Sequence, residues 1–315
     1  GTTFGFAISE NNFRGKGINL AASLEASQQS LKGSFSYTHP NFNYSDRALT
    51  TSLQSTSTDK LTDFGYKSSV NSVSLGTRYE QYEDLFFSPL LTIGNENLET
   101  DNNASDQLKK QEGSYFDSSL FYSFTYDKRN QPFKPSNGYL SRFVQSLPII
   151  ADGSPILNGY EINSYKEIID DMVLSLSFYG RSINSLSDDD VRISKRLYLP
   201  RGKLRGFENG KIGPKDSGDY VGGNYASSVN AATTVPYIFQ TLETVDMVLF
   251  FDAANVWGVD YSDTVDDSNK IRSSVGVAID WLTVIGPVNF SLAQPMTEAN
   301  TDKTEKFRFQ IGTSF

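Results

Sequence analysis

The sequence predicts an all-β protein, a transmembrane antiparallel β-barrel, and three observations carry that expectation. Apolar and small polar residues alternate with a two-residue period along most of the 315 residues. The chain holds 22 Phe and 17 Tyr yet has a mean hydropathy of -0.39, which fits a wall with an apolar outer face and a polar inner one. Helical stripes are hard to find, and no run of about 18 apolar residues suggests a membrane-spanning helix. A large soluble β-sandwich is the competing architecture. The faces opposite the apolar ones are mostly Ser, Thr, Gly, Ala and Asn, which suit a narrow wet lumen better than a dry core.

Taken in order, Phe4, Phe6 and Ile8 share one face of an extended segment, followed by Ile18, Leu20 and Ala22, and then by Phe35 and Tyr37. Val73, Leu75 and Tyr79 continue the pattern, as do Leu120, Tyr122, Phe124 and Tyr126, and then Leu174, Leu176 and Phe178. "DRALTTSLQS" and "GYLSRFVQSL" alternate less cleanly. Towards the C-terminus, "SSVGVAIDWL" sets Val275, Val277, Ile279 and Trp281 against Ser274, Gly276, Ala278 and Asp280. "PVNFSLAQP" then sets Val288, Phe290 and Leu292 against Asn289, Ser291 and Ala293, and "KFRFQIGTSF" sets Phe307, Phe309, Ile311 and Phe315 against Arg308, Gln310 and Gly312. Turn signals such as "SENNFRGKG", "PNFNYSD", "PSNGY" and "DTVDDSN" separate these segments, giving about fifteen candidate strands. Phe86, Phe87, Tyr139, Tyr198, Tyr237 and Trp257 fall near strand ends, as interfacial aromatic girdles require.

The formal charge of -9 argues against binding nucleic acid through bulk positive potential. Positive charge is local instead: "LPRGKLRGFENGKIGPK", Leu199 to Lys215, contains Arg201, Lys203, Arg205, Lys211 and Lys215 among glycines. Taken alone, this stretch reads as a solvated basic loop. Cysteine is absent, which excludes disulfides and thiolate chemistry. The single histidine, His39, precedes Pro40 in a turn signal and is a poor general base, so no enzyme is expected. Asp188 to Asp190 and Asp260 to Asp267 lack the spacing of a calcium loop, and no phosphate-binding loop is present, so neither metal nor cofactor is expected. The chain has no initiator Met and no leader, and is expected to start inside a larger or processed product.

"LRGFENGKIGPK", "YVGGNYASS", "LFFDAANVWG", "VGVAIDWLTVIGPVNFSLAQP" and "FRFQIGTSF" resemble, in this order and spacing, the C-terminal barrel of the BamA family, within the bacterial surface antigen superfamily. "THPNF" and "YSFTYDKRNQPFKPSNGYLS" resemble the family's early and middle strands. The resemblance implies a sixteen-stranded barrel in the complete protein, with the first strand and the POTRA domains missing here, so that residues 1–315 form the barrel domain. It implies location in the bacterial outer membrane and insertion of other barrels through a lateral seam between first and last strands. Implied partners are unfolded outer-membrane protein substrates, accessory assembly lipoproteins and the lipid bilayer.

The resemblance also assigns a lumenal loop six at about 182–221, whose tip Arg205, Gly206 and Phe207 touches the inner wall. A guanidinium in a partly dehydrated lumen requires a carboxylate of matching geometry. Asp252, on the face opposite Phe251, matches the family's acidic wall position, whereas Ala232 stands where many relatives have a glutamate. Phe307, Phe309, Ile311 and Phe315 resemble an outer-membrane β-signal, and Gly312 is placed to loosen the seam. The remaining alternatives are a TamA-like or two-partner-secretion transporter of the same superfamily, or a passive porin.

Overall fold

The computed structural model describes the chain except residues 1–2, 46, 152–154, 188, 237, 239–243, 263–264, 266–268, 284–285 and 312–315. Ten strands come first: β1 (Thr3–Phe13), β2 (Ile18–Ser27), β3 (Ser30–His39), β4 (Ala48–Lys60), β5 (Tyr66–Tyr82), β6 (Leu85–Thr100), β7 (Gly113–Asp127), β8 (Asn137–Ala151), β9 (Pro155–Ile169) and β10 (Met172–Ser185). A long loop carries only the two-residue strands β11 (Gly206–Phe207), β12 (Lys215–Asp216) and β13 (Asp219–Tyr220). Next come β14 (Tyr225–Val235), β15 (Val245–Trp257), β16 (Arg272–Thr283), β17 (Gly286–Thr297), the short β18 (Thr304–Glu305) and β19 (Phe307–Ile311). Among the described residues, helix is confined to α1 (Leu61–Phe64), α2 (Asp106–Lys109) and two single-turn segments.

β1 to β10, β14 to β17 and β19 form one fifteen-stranded antiparallel sheet in chain order, in agreement with the count of about fifteen from the sequence. Short turns join most neighbours, and a two-residue connection such as that between β2 and β3 permits only a hairpin. Alternation sorts the side chains as expected: on β16, Val275, Ile279 and Trp281 are exposed on the outer face, while Ser274 and Ala278 are buried on the inner one. Among the described residues no ladder joins β1 to β19.

Three expectations change. The long loop starts after Ser185 rather than near 182, because Ser182 pairs with Tyr225 and β10 continues to Ser185 against Pro155 on β9. Tyr198 belongs to no girdle: it sits in the loop, edge-on to Phe64 at 5.4 Å, and its hydroxyl donates to the Tyr220 carbonyl. Tyr237 lies outside the described residues. The lumen is also only partly wet. Val191, Leu197, Leu199, Leu204, Phe207 and Ile212 of the loop pack against Tyr179, Ile183, Ala226, Ala254 and Val256 of the wall. Small inward residues therefore make room for a plug as well as for water.

A second apolar cluster closes one end, where Phe64, Tyr66, Leu98, Ala104, Leu108 and Tyr261 meet Ile193, Tyr220 and Val221 of the loop. Below the plug lies a polar cavity of about 1140 Å³ whose lining includes Lys134, Asp246, Asp280, Asn289 and Arg308.

Candidate functional site

The tip of the 186–224 loop, loop six of the resemblance, is held against β15 by a complete guanidinium–carboxylate fork. Arg205 Nε donates to Asp252 Oδ2 at 2.7 Å and Nη2 donates to Oδ1 at 2.7 Å. The Arg205 backbone amide adds a third bond to Oδ2 at 3.0 Å. Asp252 is 0 % exposed, so this charge is compensated almost wholly by protein groups. The guanidinium carbon also lies 3.5 Å from the centroid of the Phe250 ring, two residues away on the same inward face.

Sequence reasoning missed the remaining partners. Asn230 on β14 stands directly across from Asp252 and donates to its Oδ1 at 2.9 Å, and the same amide donates to the Lys203 carbonyl at 2.8 Å. Ser274 on β16 donates its hydroxyl to the Arg205 carbonyl at 2.6 Å. The available signal was register, since Asn230 and Ser274 both fall on the inward faces of the strands flanking Asp252. Ala232, one inward position from Asn230, lines the polar cavity and packs beside Phe250.

Gly206 follows Arg205 with φ near 89°, a left-handed conformation that favours glycine. A Cβ there would lie 3.2 Å from Ala293 Cβ and 3.3 Å from Ser274 Cβ, so the tip backbone runs close against β16 and β17. Phe207 is 1 % exposed, and together Gly206 and Phe207 form a short antiparallel ladder with Glu305 and Thr304.

Other basic residues of the loop find partners nearby. Lys203 Nζ donates to Glu161 Oε1 on β9 at 2.6 Å, Lys211 reaches Asp63 at 3.0 Å and Glu208 at 3.1 Å, and Lys215 lies over the Tyr220 ring. Arg201 lines the polar cavity. Arg192 Nη2 donates to both carboxylate oxygens of Asp117 on β7 at 2.6 Å, Lys195 reaches Asp117 at 3.0 Å, and Arg196 binds Asp260 and donates to Asn224 Oδ1 at 2.9 Å. Burial works to raise the Asp260 carboxyl. The charge of Arg196 and the bonds from Asn224 and the Val191 amide outweigh it and hold the group below the usual carboxylate value. Asp117, Glu161 and Asp252 of the wall thus give an acidic protein a reason to carry a local cluster of cations in this loop.

On β19, Phe307, Phe309 and Ile311 are exposed on the outer face, and the strand pairs with β17 from Leu292 opposite Phe307 to Val288 opposite Ile311. Gly312 and Phe315 lie outside the described residues. His39 ends β3, edge-on to Phe42. Among the described residues, no cluster of His, Asp or Glu could hold a metal ion.

The family model described as the Omp85 superfamily domain matches residues 12–315. The outer membrane protein assembly factor BamA of Neorickettsia risticii is 27 % identical over 223 residues, 69 % of this chain and 30 % of that protein. BamA of Nitratidesulfovibrio vulgaris is 25 % identical over 320 residues, 98 % of this chain and 39 % of that protein. The human sorting and assembly machinery component 50 homolog is 34 % identical over 140 residues, 42 % of this chain and 30 % of that protein. The chain thus spans less than half the length of these relatives. Among solved structures, BamA from Haemophilus ducreyi lacking POTRA domains 1–3 superposes with a TM-score of 0.91 at 22 % identity, covering 99 % of this chain and 67 % of that one. CdiB from Acinetobacter baumannii gives 0.57 at 12 % identity, covering 97 % of this chain and 55 % of that one.

Proposed function

The chain belongs to the Omp85 superfamily, and on that premise we propose that it is the membrane barrel of a bacterial outer-membrane assembly factor, which inserts other β-barrel proteins through a lateral seam. Residues 1–315 are the barrel domain and loop six is its lumenal plug. Arg205, Gly206 and Phe207 fasten the plug to the wall at Asp252.

The observation that carries this reading is the lumenal plug, its tip fastened to β15 by the Arg205–Asp252 fork. An unpaired N–H or C=O at membrane depth costs several kcal/mol, so an edge there demands a partner strand. An incoming barrel precursor meets that demand with its own terminal strand, adding to the sheet by main-chain hydrogen bonds. The outward Phe307, Phe309 and Ile311 keep the last strand in lipid while its backbone exchanges partners. Nothing in this sequence of steps needs a nucleotide. The partners under this reading are unfolded outer-membrane proteins, the lipid bilayer and accessory assembly lipoproteins.

The structural likeness to BamA, at a TM-score of 0.91, supports this reading over the CdiB-like arrangement at 0.57. The packed plug argues against a passive porin. The test is reconstitution: the complete protein in liposomes should speed the folding of a urea-denatured barrel substrate, read by heat-modifiable gel mobility, and show small flickering conductance. Folding no faster than in empty liposomes, or steady large channels, would overturn the proposal.

A further inference from the structure

Arg308 is the single charged residue of β19, and it points inward, 5 % exposed, between the outward Phe307 and Phe309. Its Nε donates to Glu305 Oε2 at 2.9 Å and its Nη2 donates to the backbone carbonyl of Phe207. The last strand is therefore bonded through a buried, charge-assisted contact to the tip of loop six, about a hundred residues earlier in the chain.

Other bonds gather around this contact. Gly206 pairs with Glu305 and Phe207 with Thr304, while the Glu208 amide donates to the Lys303 carbonyl at 2.9 Å and the Lys303 amide to the Lys211 carbonyl at 3.1 Å. Tyr220 of the loop donates its hydroxyl to the Thr301 carbonyl at 2.6 Å. Arg272 on β16 forks onto Asp302 at 2.9 and 3.0 Å, both side chains fully buried. The segment before β19 is thus welded to the plug, and the plug tip is fixed to β15 by Asp252 and to β16 by Ser274. Among the described residues, the strand itself is held by its ladder to β17 and, from the lumen side, by Arg308.

We propose that Arg308 is a positioning residue of the seam: it ties the last strand to the loop-six tip, so that displacing β19 away from the plug requires breaking the contact with the Phe207 carbonyl. The proposal rests on the seam reading for its consequence but not for its geometry. A glutamine at 308 is too short to span to Phe207, whereas a lysine retains a charge and one reachable donor without the fork.

Hydrogen–deuterium exchange on the complete protein in lipid nanodiscs tests this with R308Q and R308K. Arg308→Gln should raise exchange at residues 307–311 and 205–208 together, by about tenfold, and leave β3 and β4 unchanged. Arg308→Lys should give a smaller rise in the same two segments. A rise confined to one segment, or none in either, overturns the coupling. If R308Q fails to fold, R308K is judged by the same two segments. A disulfide-locked seam that inserts substrate normally would sink the seam reading and leave this exchange result standing, whereas flat exchange would do the reverse.

Discussion

Arg205 is useful to the plug through the shape of its side chain as much as through its charge. Arg205→Ala leaves Asp252 buried with Asn230 as its remaining side-chain donor, and removing one partner of a buried pair costs about 3–5 kcal/mol. The variant should show a clearly lower urea midpoint for the heat-modifiable folded band, and Arg205→Lys should lie between, since an ammonium cannot fork. An unchanged midpoint for the alanine variant would show that the tip does not hold the barrel. Asp260 makes a pH prediction. Its folded pKa is depressed, so its clamp on Arg196 is complete above the unfolded value of about 3.9 and is lost as pH falls through the lower folded value. The thermal midpoint of the wild type should therefore drop more steeply below about pH 4 than that of Asp260→Asn, and parallel curves would contradict the clamp. Arg205 and Asp252 could be paired from the sequence because both stand in recognisable stretches and their chemistry is complementary. Asn230 and Arg308 were not legible in this way, since an amide or a guanidinium on an inward face reads alike whether it meets water or a loop from elsewhere in the chain.

At the scale of elements, the strands were legible where lipid dictates the outer face. They became obscure where a polar side chain faces outward and finds its partner on the next strand. "GYLSRFVQSL" is such a case: Gln145 shares the outward face with Tyr139 and Phe143, and it bonds Tyr122 on β7 and Asn158 on β9, while Ser141 donates to the Tyr160 hydroxyl. These rungs satisfy polar groups that lipid could not, so the departure from alternation carries little cost. The plug was legible as a basic glycine-rich stretch, but its dry core was not, because "LPRGKLRGF" shows no period that distinguishes packing against a wall from exposure. Gly206→Ala tests the tip as an element. The new methyl would press on Ala293 and Ser274 in a left-handed backbone, a strain of about 1–3 kcal/mol. Protease cleavage within 199–215 should accelerate in that variant while the barrel strands stay protected; an unaltered cleavage rate would mean that the tip tolerates displacement.

At the scale of the whole molecule, one fifteen-stranded sheet curves around a cationic plug, and acids on β7, β9 and β15 grip that plug from different directions. The net charge of -9 leaves no bulk positive potential to attract nucleic acid, even though residues 199–215 form a locally basic segment. The strand number was within reach of pattern reading because each hairpin leaves its own turn signal. The central claim is that substrate enters where the last strand can part from the first. The absence of cysteine from these 315 residues makes it directly testable, because no native thiol of the barrel competes with two introduced cysteines. Placed across the first and last strands of the complete protein, they should abolish substrate insertion when oxidised and restore it on reduction; insertion at the full rate through an oxidised, closed seam would contradict the account.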